Sequence, residues 1–330
     1  MMLTKEFKNA VRTVSPRVRW ANATRTGERD VAVIGRHSEL MTMPSEGGVG
    51  RPPQVSILGD DGAGGVHIVA DNLSVAWIEA TDAVMRAGVD AIEPLVVTLT
   101  GFDGDSRPLE VPAVAALIDA ELLHLQSEYE KKKGKKRQHR ALSVSTVANT
   151  MFPEALWNPA APRATLYATY AKMLPRLKRD TRNPNGLYFE RLIAYGSGPE
   201  DGNQLEFMIR AFNEFGVKRK SAFQAPIVKP ETDSTNEPYS GFPCLQQIAV
   251  LPSATKGTLA ITGFYGTQYL LERAYGNFVG LSRIGRFLAH EMGLKLVRVT
   301  CVAGHATAGN IGKDRGRKLV AAARAASEKK

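Results

Sequence analysis

The sequence predicts an α+β protein in which a mixed sheet packs with helices, and three observations carry this. Short glycine-bounded apolar runs of strand length occur in both halves of the chain. Longer segments repeat apolar residues at helical spacing. No internal repeat is present, and the order of strands and helices indicates a mixed sheet.

Along the chain, Val31 to Gly35, Val55 to Gly59 and Val66 to Ala70 read as strands. The last two flank Asp60-Asp61-Gly62-Ala63-Gly64-Gly65, a hairpin turn by composition. A phosphate-cradling loop would need Gly-Lys-Ser/Thr opening a helix, and none follows. Asn72-Leu73-Ser74 caps a helix running through Trp77, Glu79 and Met85 to a stop near Gly88. Residues 89 to about 180 shift in composition and read as an elaboration on the core, a helical insertion. It contains a strand at Pro94 to Thr100, a helix at Val114 to Gln126 and a second helix at Ala164 to Arg179 broken at Pro175. Leu205, Met208, Ile209, Phe212 and Phe215 mark a helix that ends at Gly216. Gln246 to Leu251 and Thr258 to Phe264 alternate as paired strands around Lys256-Gly257. Phe278, Leu281, Gly285, Leu288 and Met292 describe a buried helix face, and Lys295 to Val302 is a strand. A basic helix, Arg317 to Lys330, closes the chain.

The net charge is +10, but Lys131 to Arg140 (KKKGKKRQHR) holds seven of the positive charges, which leaves +3 elsewhere. This points to one basic loop rather than a nucleic-acid-binding body, so a nucleic-acid contact through Lys131 to Arg140 is not the favoured partner. Two cysteines, Cys244 and Cys301, exclude a disulfide framework and a multi-cysteine zinc site. The amphipathic start lacks the apolar core of a signal peptide, and no apolar run is long enough to span a bilayer. The expectation is a cytoplasmic protein without a metal.

Three residues stand out chemically. Cys244, in Gly241-Phe242-Pro243-Cys244 at a strand start, has a backbone position fixed by the preceding proline, and its thiolate could attack a ligand if a cation lowers its pKa. Glu79 lies on an apolar helix face beside Trp77 and Ile78, where a carboxylate either caps a surface edge or works as a desolvated acid-base group. His305 follows a strand between Gly304 and Ala306.

In their order along the chain, these and four further elements resemble the thymidylate synthase family. Thr24-Arg25-Thr26-Gly27 is similar to its Arg-Thr-Gly loop, and Tyr188 to Tyr195 to the segment lining its active site. Arg219-Lys220 is similar to its paired arginines, Pro243-Cys244 to its nucleophile, and Asn277-Phe278 to the stretch carrying the pyrimidine-reading asparagine. Glu79 and Gly304-His305 stand where that family keeps a catalytic glutamate and a sugar-binding histidine. The resemblance implies a single thymidylate synthase-like domain over residues 1–330 with the insertion at about 89–180. It also implies catalysis by Cys244, Glu79 and Tyr188, and substrate binding by Arg25, Arg219, Lys220, Asn277 and His305. The implied reaction moves a one-carbon unit from 5,10-methylenetetrahydrofolate to C5 of a pyrimidine nucleoside monophosphate, giving methyl or hydroxymethyl. A homodimer is implied because the paired cations reach the neighbouring subunit. The chain departs from the family pattern at Leu245, at Thr307 and within Tyr265 to Leu270, where an Arg-Ser phosphate motif is absent, and it lacks the closing C-terminal segment. A catalytically silent member that binds a nucleotide or serves as a scaffold is the alternative.

Overall fold

Asn72 starts the first helix as its side chain predicts: Oδ1 accepts the N–H groups of Ser74 at 2.9 Å and Val75 at 3.3 Å, satisfying two of the otherwise orphaned amides of the first turn. The computed structural model describes residues 53–58, 65–86, 88–131, 142–180, 183, 185–236 and 242–328, all within one unit, 49–330. Arg25 with its loop, the predicted Val31 to Gly35 strand and residues 132–140 of the basic run lie outside the described residues.

In chain order the elements are β1 (Gln54–Leu58), β2 (Gly65–Ala70), α1 (Leu73–Met85), β3 (Ala91–Ile92), β4 (Leu95–Leu99), α2 (Pro112–Lys131), α3 (Val144–Met151), α4 (Arg163–Leu177) and α5 (Tyr188–Ile193). They continue with α6 (Gln204–Asn213), β5 (Gln224–Pro226), α7 (Pro230–Asp233), β6 (Leu245–Ser253), β7 (Thr258–Tyr269), a π-turn (Leu270–Ala274), α8 (Tyr275–Glu291), β8 (Lys295–Thr307) and α9 (Lys313–Glu328). Pro175 does not break its helix where the sequence predicts. It sits in the last turn of α4, which runs on to Leu177.

The strands form one mixed sheet in the order β1-β2-β4-β8-β7-β6-β5, with β3 paired to β8 beside it. The pairs β2–β4 and β7–β8 are parallel and the others antiparallel. Segment 89–180 thus supplies β4, an interior strand, as well as α2, α3 and α4.

One row of residues runs across six strands on the inner face: Ile68, Val97, Cys301, Gly263, Ile248 and Ala225, each register-paired with the next. All six are buried. Helices α1 and α8 cover this face, α1 over β2 and β4, α8 over β7 and β8. Trp77 of α1 is fully buried, donates its indole N–H to the Leu270 carbonyl at 2.8 Å and meets Tyr275 edge-on at 6.1 Å. Truncating it to alanine would cost about 3–5 kcal/mol. α9 packs on α1 and α2.

The neighbouring outer rows read Val69, Thr98, Thr300, Thr262, Ala249 and His67, Val96, Val302, Phe264, Gln247. They are half-buried or exposed, and the principal helix contacts of the sheet all lie on the opposite side. A hydroxyl ladder crosses this face, with His67 Nε2 3.2 Å from Thr98 Oγ1 and Thr98 Oγ1 3.4 Å from Thr300 Oγ1. No helix among the described residues is long and apolar enough to cross a membrane.

Close helix packing fixes the start of α8. A Cβ at Gly276 would stand 2.6 Å from Val147 Cβ and 2.8 Å from the Val144 carbonyl oxygen, so only glycine lets α3 approach. Gly276→Ala is expected to lose about 1–3 kcal/mol of stability, measured as a lower denaturant midpoint at unchanged slope.

Candidate active site

A break in strand alternation builds the site. In β7 the inward positions are Gly263 and Tyr265, but then Gln268; in β8 they are Cys301 and Ala303, but then Ala306. The slip falls at Gly266 and Gly304, where a Cβ on Gly304 would stand 3.3 Å from the Gly266 carbonyl. In β6 the register shifts between Leu245 and Gln247, a bulge at the same level.

Cys244 immediately precedes β6, and its backbone is held on both sides. Its N–H donates to Tyr188 Oη at 3.2 Å, and its carbonyl accepts the Gly266 N–H at 3.0 Å and Gln246 Nε2 at 3.3 Å. The Phe242 ring packs on Tyr188 at 5.0 Å and under the Arg191 guanidinium at 5.3 Å. Arg191 is anchored in turn by a buried bidentate pair with Asp233, at 2.9 and 3.1 Å, and by the carbonyls of Ile227 and Asn185. Short helix α5 supplies both supports, Tyr188 at its first position and Arg191 three residues on.

Cys244 is exposed, whereas Cys301 is buried and donates to Gln268 Oε1 at 3.4 Å. Burial of its inner side pushes the Cys244 thiol up from its ordinary value, and the Arg273 guanidinium pulls the other way. Burial pushes Cys301 up to about 12, so it is a neutral thiol. Tyr188 is raised by burial and by Cys244 beside it, which keeps its phenol protonated. The site is therefore a thiol with a nearby cation and a phenolic O–H, not a preformed thiolate.

The other residues singled out from sequence distribute as follows. Asn277 is 6% exposed on α8, and its carboxamide has no hydrogen-bond partner among the described residues. It lies one turn before Leu281, whose Cδ2 stands 2.9 Å from the position of a Gly263 Cβ, so it shares the stripe facing β7. His305 is on β8 opposite Thr267 and is half-buried, with Nδ1 bonded to the Glu93 carboxylate. Two strand spacings, about 10 Å, separate its strand from that of Cys244. Glu79 is bound by Arg324 of α9 at 2.7 Å and has no bond to the Cys244 cluster. Arg219 is exposed, and Lys220 Nζ donates to the Pro252 carbonyl at 2.6 Å. Pro252 is eight residues beyond Cys244 along β6, about 26 Å away. One chain therefore brings together Cys244 and Tyr188, and leaves Arg219 and Lys220 at the far end of the strand.

Sequence inspection passed over Arg273, Arg191 and Asp233. Arg273 sits in Leu271-Glu272-Arg273-Ala274, where neither strand nor helix period marks it, and the Arg191–Asp233 pair joins residues 42 apart. No protein-family model matches the chain, and no curated protein matches it.

Asp233 also accepts the Lys229 N–H at 2.7 Å and the Thr232 hydroxyl at 3.1 Å. Burial raises its pKa, but Arg191 and these donors outweigh it and hold the carboxyl below its ordinary value. A carboxylate with a depressed folded pKa stabilises the fold above about pH 4 and loses that contribution as pH falls through the lowered value. Asp233→Ala strands a buried guanidinium, so a loss of about 3 kcal/mol is expected at pH 7. Denaturant titrations of both proteins should show the deficit shrinking below about pH 4.

Proposed function

We propose that this chain binds a pyrimidine nucleoside monophosphate and activates its C5 by adding Cys244 to C6. This is the covalent half of a thymidylate synthase-like one-carbon transfer, with a methyl or hydroxymethyl product. The hydrogen bond from the Cys244 N–H to Tyr188 Oη carries this assignment. It joins residues 56 apart in sequence that the resemblance names together as catalytic.

The chemistry follows from the groups present. C5 of the ring is a poor nucleophile until sulfur adds at C6. The thiol passes its proton to water, which reaches the exposed Cys244, the S–C6 bond forms, and the C5=C6 electron pair moves toward the C4 carbonyl as an enolate. C5 can then exchange its proton or attack a one-carbon electrophile, and loss of the sulfur restores the ring. Arg273 favours the thiolate. Tyr188 stays protonated and acts as an O–H donor rather than a base. Asn277, nearly buried with its carboxamide unspent, is suited to reading a base edge.

Methylenetetrahydrofolate does not fit the residues present. Glu79, which the resemblance makes catalytic in the transfer, is held by Arg324 of α9, and α9 is docked on α1 and α2. No step is assigned to it. The same ion pair favours the alternative, a silent member that binds the nucleotide without turnover.

The outer face of the sheet, left without a helix among the described residues, with Phe264 39% exposed and the Val96 and Val302 row beside it, supports a homodimer. A dimer built on this face would be the route by which Arg219 and Lys220 reach a neighbouring site.

Two outcomes are expected at Cys244. Cys244→Ser should abolish tritium release from C5-labelled dUMP, dCMP, UMP or CMP while monophosphate binding persists. A 5-fluoropyrimidine nucleotide should add mass to the Cys244 peptide and not to the Cys301 peptide. Absence of both release and adduct with all four nucleotides, with and without methylenetetrahydrofolate, would leave the silent member as the better account. In sedimentation, the chain should run as a dimer at micromolar concentration, and Phe264→Asp should shift it to monomer by placing a charge in the apolar row.

A further inference from the structure

Helix α4 spends its apolar stripe on the body of the protein. Leu166 and Tyr170 are buried, Leu174 and Leu177 pack beside them, and Tyr170 meets Phe189 of α5 edge-on at 4.8 Å. Acids that reach α4 are already matched: Arg163 takes Glu206 at 2.7 Å and Glu291 at 3.5 Å, and Lys178 takes Glu190 at 2.5 Å. The opposite face carries Lys172, Arg176 and Arg179, all exposed and none with a hydrogen bond or ion pair among the described residues. No aspartate or glutamate occurs from 163 to 179. Lys172 and Arg176 stand one turn apart on the same face, about 5–6 Å between side-chain roots. The Arg179 N–H donates to the Arg176 carbonyl at 3.2 Å, a tight turn that sets Arg179 above Arg176 and carries the stripe past the helix end at Leu177. Stabilising the helix dipole accounts for cations in the last turn but not for Lys172, which stands before it.

We infer that the outer face of α4 binds the phosphodiester backbone of a nucleic-acid strand, independently of base sequence. Three cations in line, one helical turn apart, suit a polyanion whose charges recur at short regular intervals, and release of its counterions drives the contact. A membrane surface fits less well, because the apolar stripe that would insert is buried and leaves only Met173 as a large exposed apolar side chain on α4. The cations are flanked on their own face by Thr165, Ala168 and Pro175. No aromatic side chain is exposed on α4, so bases find nothing to stack on and the phosphates carry the contact. The stripe is separate in sequence from the Lys131 to Arg140 run, and the inference does not rest on the Cys244 reading.

The test is the anisotropy of a labelled oligothymidylate titrated with the full chain across a salt series. It is repeated on a chain carrying Lys132→Gln, Lys133→Gln, Lys135→Gln, Lys136→Gln, Arg137→Gln and Arg140→Gln, in which the basic run cannot supply the signal. In that chain, three phosphate contacts give a slope of about −2 in log affinity against log salt, about twentyfold between about 50 and 200 mM. Lys172→Gln, Arg176→Gln and Arg179→Gln should each reduce the slope by about 0.7, and together they should abolish binding. All three positions are exposed, so denaturant midpoints should be unchanged. Lys295→Gln and Lys318→Gln remove exposed, unpaired cations elsewhere and should leave affinity and slope as they are. Equal losses in these controls would show attraction by net charge alone and overturn the inference, as would loss of all binding when the basic run is neutralised. Competition by polyglutamate as effective as that by unlabelled oligonucleotide, or capture by phosphatidylserine vesicles through the same three residues, also overturns it. Cys244→Ser should bind the oligonucleotide as the wild type does, which keeps this result separate from tritium release. Loss of binding in Cys244→Ser would move the contact to the cysteine site and sink the assignment to α4.

Discussion

A pleated sheet sends successive side chains to opposite faces, and a strand that keeps this alternation cannot present one edge to a core and the next to a cleft at the same level. Three neighbouring strands here give up the alternation together. The bulge between Leu245 and Gln247 in β6 adjoins Gly266 in β7, which adjoins Gly304 in β8. Below this line the inner face is closed by α8 and packs Ile261, Gly263 and Cys301. Above it the chain turns outward, and Cys244, Gly266 and His305 come to the rim. A small residue is needed at Gly304, where a Cβ would stand 3.3 Å from the Gly266 carbonyl oxygen, on the residue whose N–H donates to the Cys244 carbonyl.

Charge is then distributed in two layers. The inner one is neutralised: Arg191 meets Asp233 with both nitrogens and stacks on Phe242, which fixes the loop carrying the cysteine. The outer one is left open, with Arg273 meeting no carboxylate among the described residues and Cys244 raised by burial yet exposed on one side. The first arrangement gives rigidity, because breaking a buried pair strands a charge. The second gives reactivity, because a cation with no partner stabilises whatever negative charge forms next to it.

Much of the fold was legible in the sequence because it rests on local rules. The Asn72 cap, the apolar stripe of α8 and the alternation of β6 and β7 each declare themselves within a dozen residues. Pro175 misled because a proline near a C-terminus removes few helical bonds, and α4 ends two residues later. The site was legible in part. Cys244 and Tyr188 were nominated from the order of elements, and the chain does place them in contact. Arg273 was invisible because a π-turn has neither strand nor helix period. Glu79 drew notice as a carboxylate on an apolar face, but its partner, Arg324, lies 245 residues away, beyond any local pattern.

The long separation between α1 and α9 has a consequence for how the chain is made. Strand β8 is the last strand in sequence among the described residues, yet it lies in the middle of the sheet between β4 and β7, and α9 covers a helix formed near the opposite end of the described chain. On the ribosome, β2 and β4 can pair, but their edge toward β8 and the exposed side of α1 must wait for some two hundred further residues. Such high contact order delays closure until β8 has been made and leaves an unpaired strand edge open to other chains meanwhile. Nascent-chain length, rather than intrinsic helix or strand strength, sets when this protein becomes whole.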